Sequence, residues 1–194
     1  MALRQARAVL ASLLPPLYAS RVRSSPRKVS TDQELYDAAL RALMRRAHSI
    51  HEMKGYLAKR AEDKDSIPEV IARLREQNYL DDAKYALDYA RRHAQSRGQG
   101  RYRIARELRG RGVPDQHIDS ALDAVFAETD EAALVRKRLA RHLKGVRGAL
   151  DQRKIASVYR SLLRAGFATD VIRAELGKIT RGDLPESTAP DELD

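Results

Sequence analysis

The chain has 194 residues, enough for one or two domains, and no cysteine, which excludes disulfides, thiolate metal sites and cysteine nucleophiles. Lys and Arg number 37 against 27 Asp and Glu, a formal net charge of +10, so the expected partner is a polyanion or an acidic protein surface. Hydrophobic residues make up 43% but aromatics only 5%, with no Trp, so a core would be built from Leu, Ile, Val and Ala, in helices.

Residues 1–30 contain no acid and read as a flexible basic arm; Arg7 and Pro15-Pro16 break its apolar start, which argues against a secretory signal. Thr31-Asp32-Gln33-Glu34, Ser49-Ile50-His51-Glu52 and Ser66-Ile67-Pro68-Glu69 each have the capping-box pattern, a hydroxyl followed three residues later by Glu. They predict three short helices, with Leu35, Ala39, Leu43 and Ala47 on the first, Met53 and Leu57 on the second, and Val70, Ile71 and Leu74 on the third.

Asn78 to Asp82 reads as a turn, with an aspartate capping a helix that presents Tyr85, Ala86, Tyr89 and Ala90. Gly98-Gln99-Gly100 reads as a flexible joint. The next helix carries Ile104 and Leu108 and stops at Gly110 and Gly112, and Pro114-Asp115 opens another with Ile118, Ala121, Leu122 and Val125. A looser third set follows: 131–144 with Leu134, Val135, Leu139 and Leu143; a helix capped by Asp151 with Ile155, Val158 and Leu162, ended by Gly166; and a last helix from Thr169 or Asp170 with Ile172, Leu176 and Ile179. The terminal stretch, 182–194, is acidic and reads as disordered.

Met53, Leu57, Val70 and Leu74 match Ile104, Leu108, Ile118 and Leu122, which match Val158, Leu162, Ile172 and Leu176, with Gly112 corresponding to Gly166. The expected fold is therefore all-α, an elongated array of three tandem three-helix repeats over 31–80, 81–127 and 128–181.

Several motifs belong to one family. Leu40-x-x-Leu43-Met44-x-Arg46 with Ser49-x-x-Glu52, Asn78-Tyr79-Leu80-Asp81-Asp82-x-x-Tyr85-Ala86, and Ile104-x-x-Glu107-Leu108-x-x-Arg111-Gly112-Val113 together resemble RecX, the bacterial regulator of the RecA recombinase. The resemblance covers about residues 32–180 and is most specific at Tyr79–Ala86. It departs after Leu57, where the family often has a glycine and this chain has none. It implies a cytoplasmic, non-enzymatic protein that docks along the groove of the RecA–DNA filament and inhibits recombinase activity in recombination, DNA repair and the SOS response. It carries no cofactor or metal.

The residues point to the same kind of partner. Between Arg91 and Arg111 stand eight arginines, Arg91, Arg92, Arg97, Arg101, Arg103, Arg106, Arg109 and Arg111, against one acid, Glu107. With a single acid in the stretch, few internal ion pairs are expected. At about 100° per residue, Ile104 and Leu108 point together while Arg103 and Arg106 point away, with Arg109 on the flank. Guanidinium binds phosphate or carboxylate in bidentate fashion, so this face is a candidate contact for DNA or an acidic partner. Lys154, Arg160 and Arg164 give the third repeat a thinner version, and Tyr102 could stack on a base or serve as a packing residue.

Catalytic chemistry is not indicated. Asp81 and Asp82 diverge as neighbours and read as a helix cap. The histidines lack a His-Glu-x-x-His frame, and the glycines lack both the dinucleotide and P-loop patterns. No apolar run approaches the roughly 18–20 residues of a membrane span. The expected protein is a monomer that binds the RecA filament and, weakly and electrostatically, single- and double-stranded DNA. The alternatives are a stand-alone DNA- or RNA-binding helical protein, with a helix-turn-helix in the middle repeat, and a helical scaffold without a nucleic-acid role.

Overall fold

The computed structural model describes residues 31–144 and 151–180; the expected basic arm and acidic tail lie outside the described residues. Among these, the chain is helical, with α1 Asp32–Arg45, α2 Ile50–Ala58, α3 Ile67–Glu76, α4 Asp82–Gln95, α5 Arg101–Arg109, α6 Asp115–Glu128, α7 Glu131–Leu143, α8 Gln152–Arg164 and α9 Thr169–Thr180. No β-strand occurs among the described residues.

Local chemistry sets the helix starts. Thr31 Oγ1 accepts from Glu34 N at 3.2 Å. Ser49 and Glu52 form both arms of a capping box. Asp81 accepts from the amides of Ala83 and Lys84, and Asp151 from that of Lys154. Ser66 departs from expectation. Its backbone is already helical (φ −72°, ψ −19°), whereas a capping side chain needs an extended residue, and its hydroxyl caps nothing. Gly112 has the left-handed φ of +70°, but Gly110 is right-handed at −61°, so only the second glycine needs its freedom.

Every substantial helix–helix packing falls within α1–α3, α4–α6 or α7–α9. Each set closes its own core, and all of Met53, Leu57, Val70, Leu74, Ile104, Leu108, Ile118, Leu122, Val158, Leu162, Ile172 and Leu176 are buried. Burying a Leu or Ile is worth about 1.5–3 kcal/mol, so these stripes supply much of each module's stability. Phe167, 2% exposed, completes the third core at the position that Val113 holds in the second.

Consecutive modules meet through loops and helix ends, by one plan used twice. At the first joint, the start of α2 lies on the loop after α5: Ser49 Oγ donates to Arg111 O at 2.6 Å, and Ile50 N donates to Asp82, the first residue of α4, at 2.9 Å. At the second, the start of α5 lies on the loop after α8: Gly100 N donates to Ala165 O at 2.9 Å and Tyr102 N to Gly166 O at 3.0 Å. Here the carboxyl of Glu131, the first residue of α7, faces the Arg101 amide. A Cβ on Gly100 would sit 2.3 Å from the Gly166 carbonyl oxygen, and one on Gly166 (φ +86°) 2.2 Å from Arg103 N. The backbones touch because neither residue has a side chain. Gly98-Gln99-Gly100 is thus a fixed joint, with Gln99 buried and bonded to His93 through both backbone and side chain.

The loop after a middle helix receives the middle helix of the preceding module at both joints. In the first module Ala61 takes the position that Gly112 and Gly166 hold later, so no glycine follows Leu57 there.

Candidate nucleic-acid interface

A groove of about 860 Å³ lies along the first joint, lined by Arg46 and Glu52 from the first module and by Tyr85, Asp88, Tyr89, Arg92, His93, Arg97, Glu107 and Arg111 from the second. Glu52 organises its near wall. It pairs with Arg46 at 3.1 Å and with Arg111 at 2.8 Å, and accepts from the Tyr85 hydroxyl at 3.3 Å. Burial pushes the Glu52 carboxyl up, but Arg46, the Ser49 amide and Arg111 outweigh it and hold the group below the usual carboxylate range. The Arg111 guanidinium stands 5.0 Å over the Tyr89 ring, which stacks on His93 at 3.8 Å.

The far wall is built on Glu107. Tyr89 Oη donates to it at 2.6 Å and Arg103 Nε at 2.8 Å. Burial opposes its ionisation, and these two partners again bring the carboxyl below its ordinary range. Burial also lowers the His93 pKa, although Gln99 and Glu107 beside the ring act against it. Beyond Arg103 the surface passes to α7, where Arg138 Nη1 donates to Gly98 O at 3.4 Å and Arg141 lies against Gly98.

This geometry joins Arg46, Arg92, Arg97 and Arg111 in one groove and carries the cationic surface past Arg103 toward Arg138 and Arg141. An arrangement of guanidinium groups and tyrosine edges can bind phosphates and carboxylates. Among the described residues no cluster of His, Asp and Glu could hold a metal, and no helix is long and apolar enough to cross a membrane.

Family models for the first and second three-helix domains of RecX match residues 36–74 and 81–122. The regulatory protein RecX of Halorhodospira halophila is 38% identical over 148 residues, covering 75% of this chain and 88% of its own length. The chain belongs to the RecX family. The regulatory protein RecX of Chlorobaculum tepidum is 34% identical, with 81% of this chain and 94% of its own length covered. The crystal structure of RecX from Lactobacillus salivarius superposes with a TM-score of 0.68 at 20% identity, over 76% of this chain and 96% of that one, and so shares the fold.

Within this RecX chain the arginines anticipated as one outer face are divided. Arg103 turns to Glu107. Arg109 pairs with Asp115 at 2.6 Å and Arg101 with Asp123 at 2.9 Å, both from α6. Arg111 reaches back to Glu52 in the first module. The expectation of few ion pairs is therefore corrected: apart from Glu107, which takes Arg103, the partners come from outside the Arg91–Arg111 stretch, where counting acids along that stretch could not find them. The Arg101 and Arg109 pairs are solvent-exposed and worth about 0–1 kcal/mol each, so an incoming anion displaces them readily. Arg91, Arg92, Arg97 and Arg106 are exposed and have no ion-pair partner among the described residues. Lys154, Arg160 and Arg164 are exposed on α8, away from the groove lining. Tyr102 is 63% exposed.

Sequence reading missed Arg46, Glu52, Arg138 and Arg141 as parts of this surface. The repeat itself carried the signal. Arg46 stands three residues before Ser49 as Arg97 stands three before Gly100, and these two residues open equivalent helices.

Proposed function

We propose that this protein binds the RecA–DNA nucleoprotein filament and inhibits recombinase activity in recombination and DNA repair. Membership of a family of regulatory proteins supports the regulatory role. The observation that carries the binding mode is the connected run of Arg46, Arg92, Arg97, Arg111, Arg103, Arg138 and Arg141 across three modules. A cationic surface that extends through successive repeats suits a polymeric ligand better than a small one. The unpaired Arg92, Arg97 and Arg106 are its available contacts, with Arg101, Arg103, Arg109 and Arg111 held by exchangeable ion pairs.

The test uses fluorescence anisotropy with recombinase filaments on labelled single-stranded DNA, together with strand exchange. Wild-type protein binds filaments more tightly than bare DNA and slows exchange. Changing Arg92, Arg97 and Arg106 together to Gln weakens both effects without loss of helicity. Equal affinity for bare DNA and filaments, with no effect on exchange, favours the stand-alone nucleic-acid binder instead.

A further inference from the structure

We propose that the second joint holds a phosphate site, in which Arg103, Arg138 and Arg141 beside the Gly98 loop grip one backbone phosphate of a nucleic acid. The inference rests on reading this surface as a nucleic-acid face, and it assigns the ligand at one point of it.

Arg138 is the anomaly that leads there. It is half-buried on α7, its Nε is enclosed without a hydrogen-bond partner among the described residues, and its bond to Gly98 O is long at 3.4 Å. A guanidinium in such a place costs stability unless an anion meets it. The charged groups that act on it are Arg103 from α5 and Arg141 from its own helix, both repulsive, and with burial they pull its pKa down. The acid that Arg103 meets, Glu107, is already engaged by Arg103 and Tyr89.

Arg136, two residues away on the same helix, pairs with Asp130 and with the buried Glu175, which also takes Lys178. Arg138, although half-buried, has no such acid among the described residues.

The repeat shows how the site arose. Val135 and Leu139 of α7 are buried as Ala86 and Ala90 of α4 are, so Arg138, one before Leu139, stands where Tyr89 stands in the second module. Arg103, one before Ile104, stands where Glu52 stands before Met53. A tyrosine and a glutamate at the first joint are thus two arginines at the second.

Phosphate is favoured over a protein carboxylate. Protein-interface cores are depleted in charge and enriched in aromatics, whereas nucleic-acid interfaces are polar and strongly positive. The groups set against Arg138 on this surface are Gly98, Arg103 and Arg141.

The experiment titrates labelled single- and double-stranded oligonucleotides, without recombinase, against wild type, Arg138→Met and, as a charge-matched control on α9, Arg173→Met. Each protein is also melted. Arg138→Met is expected to bind about tenfold more weakly at physiological salt, as loss of a charge-assisted contact implies. Its log–log salt slope should fall by about one. Its melting temperature should equal or exceed that of wild type, because an unpaired buried cation is removed, a result that a merely structural role could not produce. Arg173→Met should change none of these. Wild-type affinity and slope in Arg138→Met overturn the proposal. So does a loss confined to recombinase filaments with bare-DNA binding intact, which would make the ligand a partner carboxylate and leave the filament reading standing. The expected DNA result without any wild-type effect on strand exchange would instead keep the phosphate site and remove the filament reading.

Discussion

The two joints share a backbone plan and differ in charge. In each, the start of one middle helix rests on the glycine loop of the next, and the first residue of the next module is an acid turned toward that helix start. At the first joint Glu52 stands between Arg46 and Arg111, and the cations there are answered from within the protein. At the second joint the matching position is Arg103, and Arg138 faces more positive charge. Backbone contacts can therefore repeat faithfully while side chains at the same positions change from paired to unbalanced charge.

The shared plan is broken most directly at its glycines. Gly166→Ala forces a Cβ onto Arg103 backbone and side-chain atoms and places a non-glycine at φ +86°. The strained conformation and the overpacking each cost about 1–3 kcal/mol, so a loss of about 2–6 kcal/mol is expected in urea denaturation. Ala61→Gly at the equivalent position of the first module loses a buried methyl group and adds backbone entropy to the unfolded chain, and should cost about 1–2 kcal/mol. If the two variants unfold at the same urea concentration, the glycines are not joint residues.

The difference in charge is sharpened by removing one residue from each joint. Glu52→Ala leaves Arg46 and Arg111 without their acid and Tyr85 without its acceptor, at a cost of about 1–3 kcal/mol. Arg138→Met should cost nothing or stabilise. The folded Glu52 pKa lies below its ordinary value, so its contribution is full above the unfolded carboxylate pKa and disappears as pH falls through the folded one. The gap between wild type and Glu52→Ala in chemical denaturation should therefore close as the solution is acidified. A constant gap would mean that Glu52 acts by packing rather than by charge.

How far the sequence revealed this molecule depended on the range of the interaction. Caps at Thr31, Ser49, Asp81 and Asp151, and the stripes through Leu57, Leu108 and Leu162, are set within a turn or two of helix and were legible. The joints were not. Gly98-Gln99-Gly100 has the composition of a flexible linker, and only contact with Ala165 and Gly166 makes it fixed. The ion pairs of Arg101, Arg109 and Arg111 go to other helices, so a run of cations looked freer than it is. Arg138 could not be found from spacing, because its importance lies in the partner it lacks.

The smallest expected effect concerns the acids that both joints keep. Asp82 is buried and accepts from Ile50 N, and burial raises its pKa despite that bond; burial likewise raises Glu131, which faces the Arg101 amide. In the unfolded chain an Asp titrates near 4. Between that pH and the raised native value, the folded protein retains a proton that the unfolded chain has released. Stability from this source is complete below the unfolded pKa and is lost as pH rises through the folded one, opposite in direction to Glu52. Asp82→Asn keeps an acceptor oxygen for Ile50 N and removes the ionisation. Relative to wild type it should therefore gain stability steadily as pH rises from about 4 toward neutrality, and Glu131→Gln should do the same at the second joint. Denaturation of wild type and both variants across that range measures it. A difference that does not vary with pH would show that these carboxyls titrate alike in the folded and unfolded chains, and that the joints hold them for their hydrogen bonds alone.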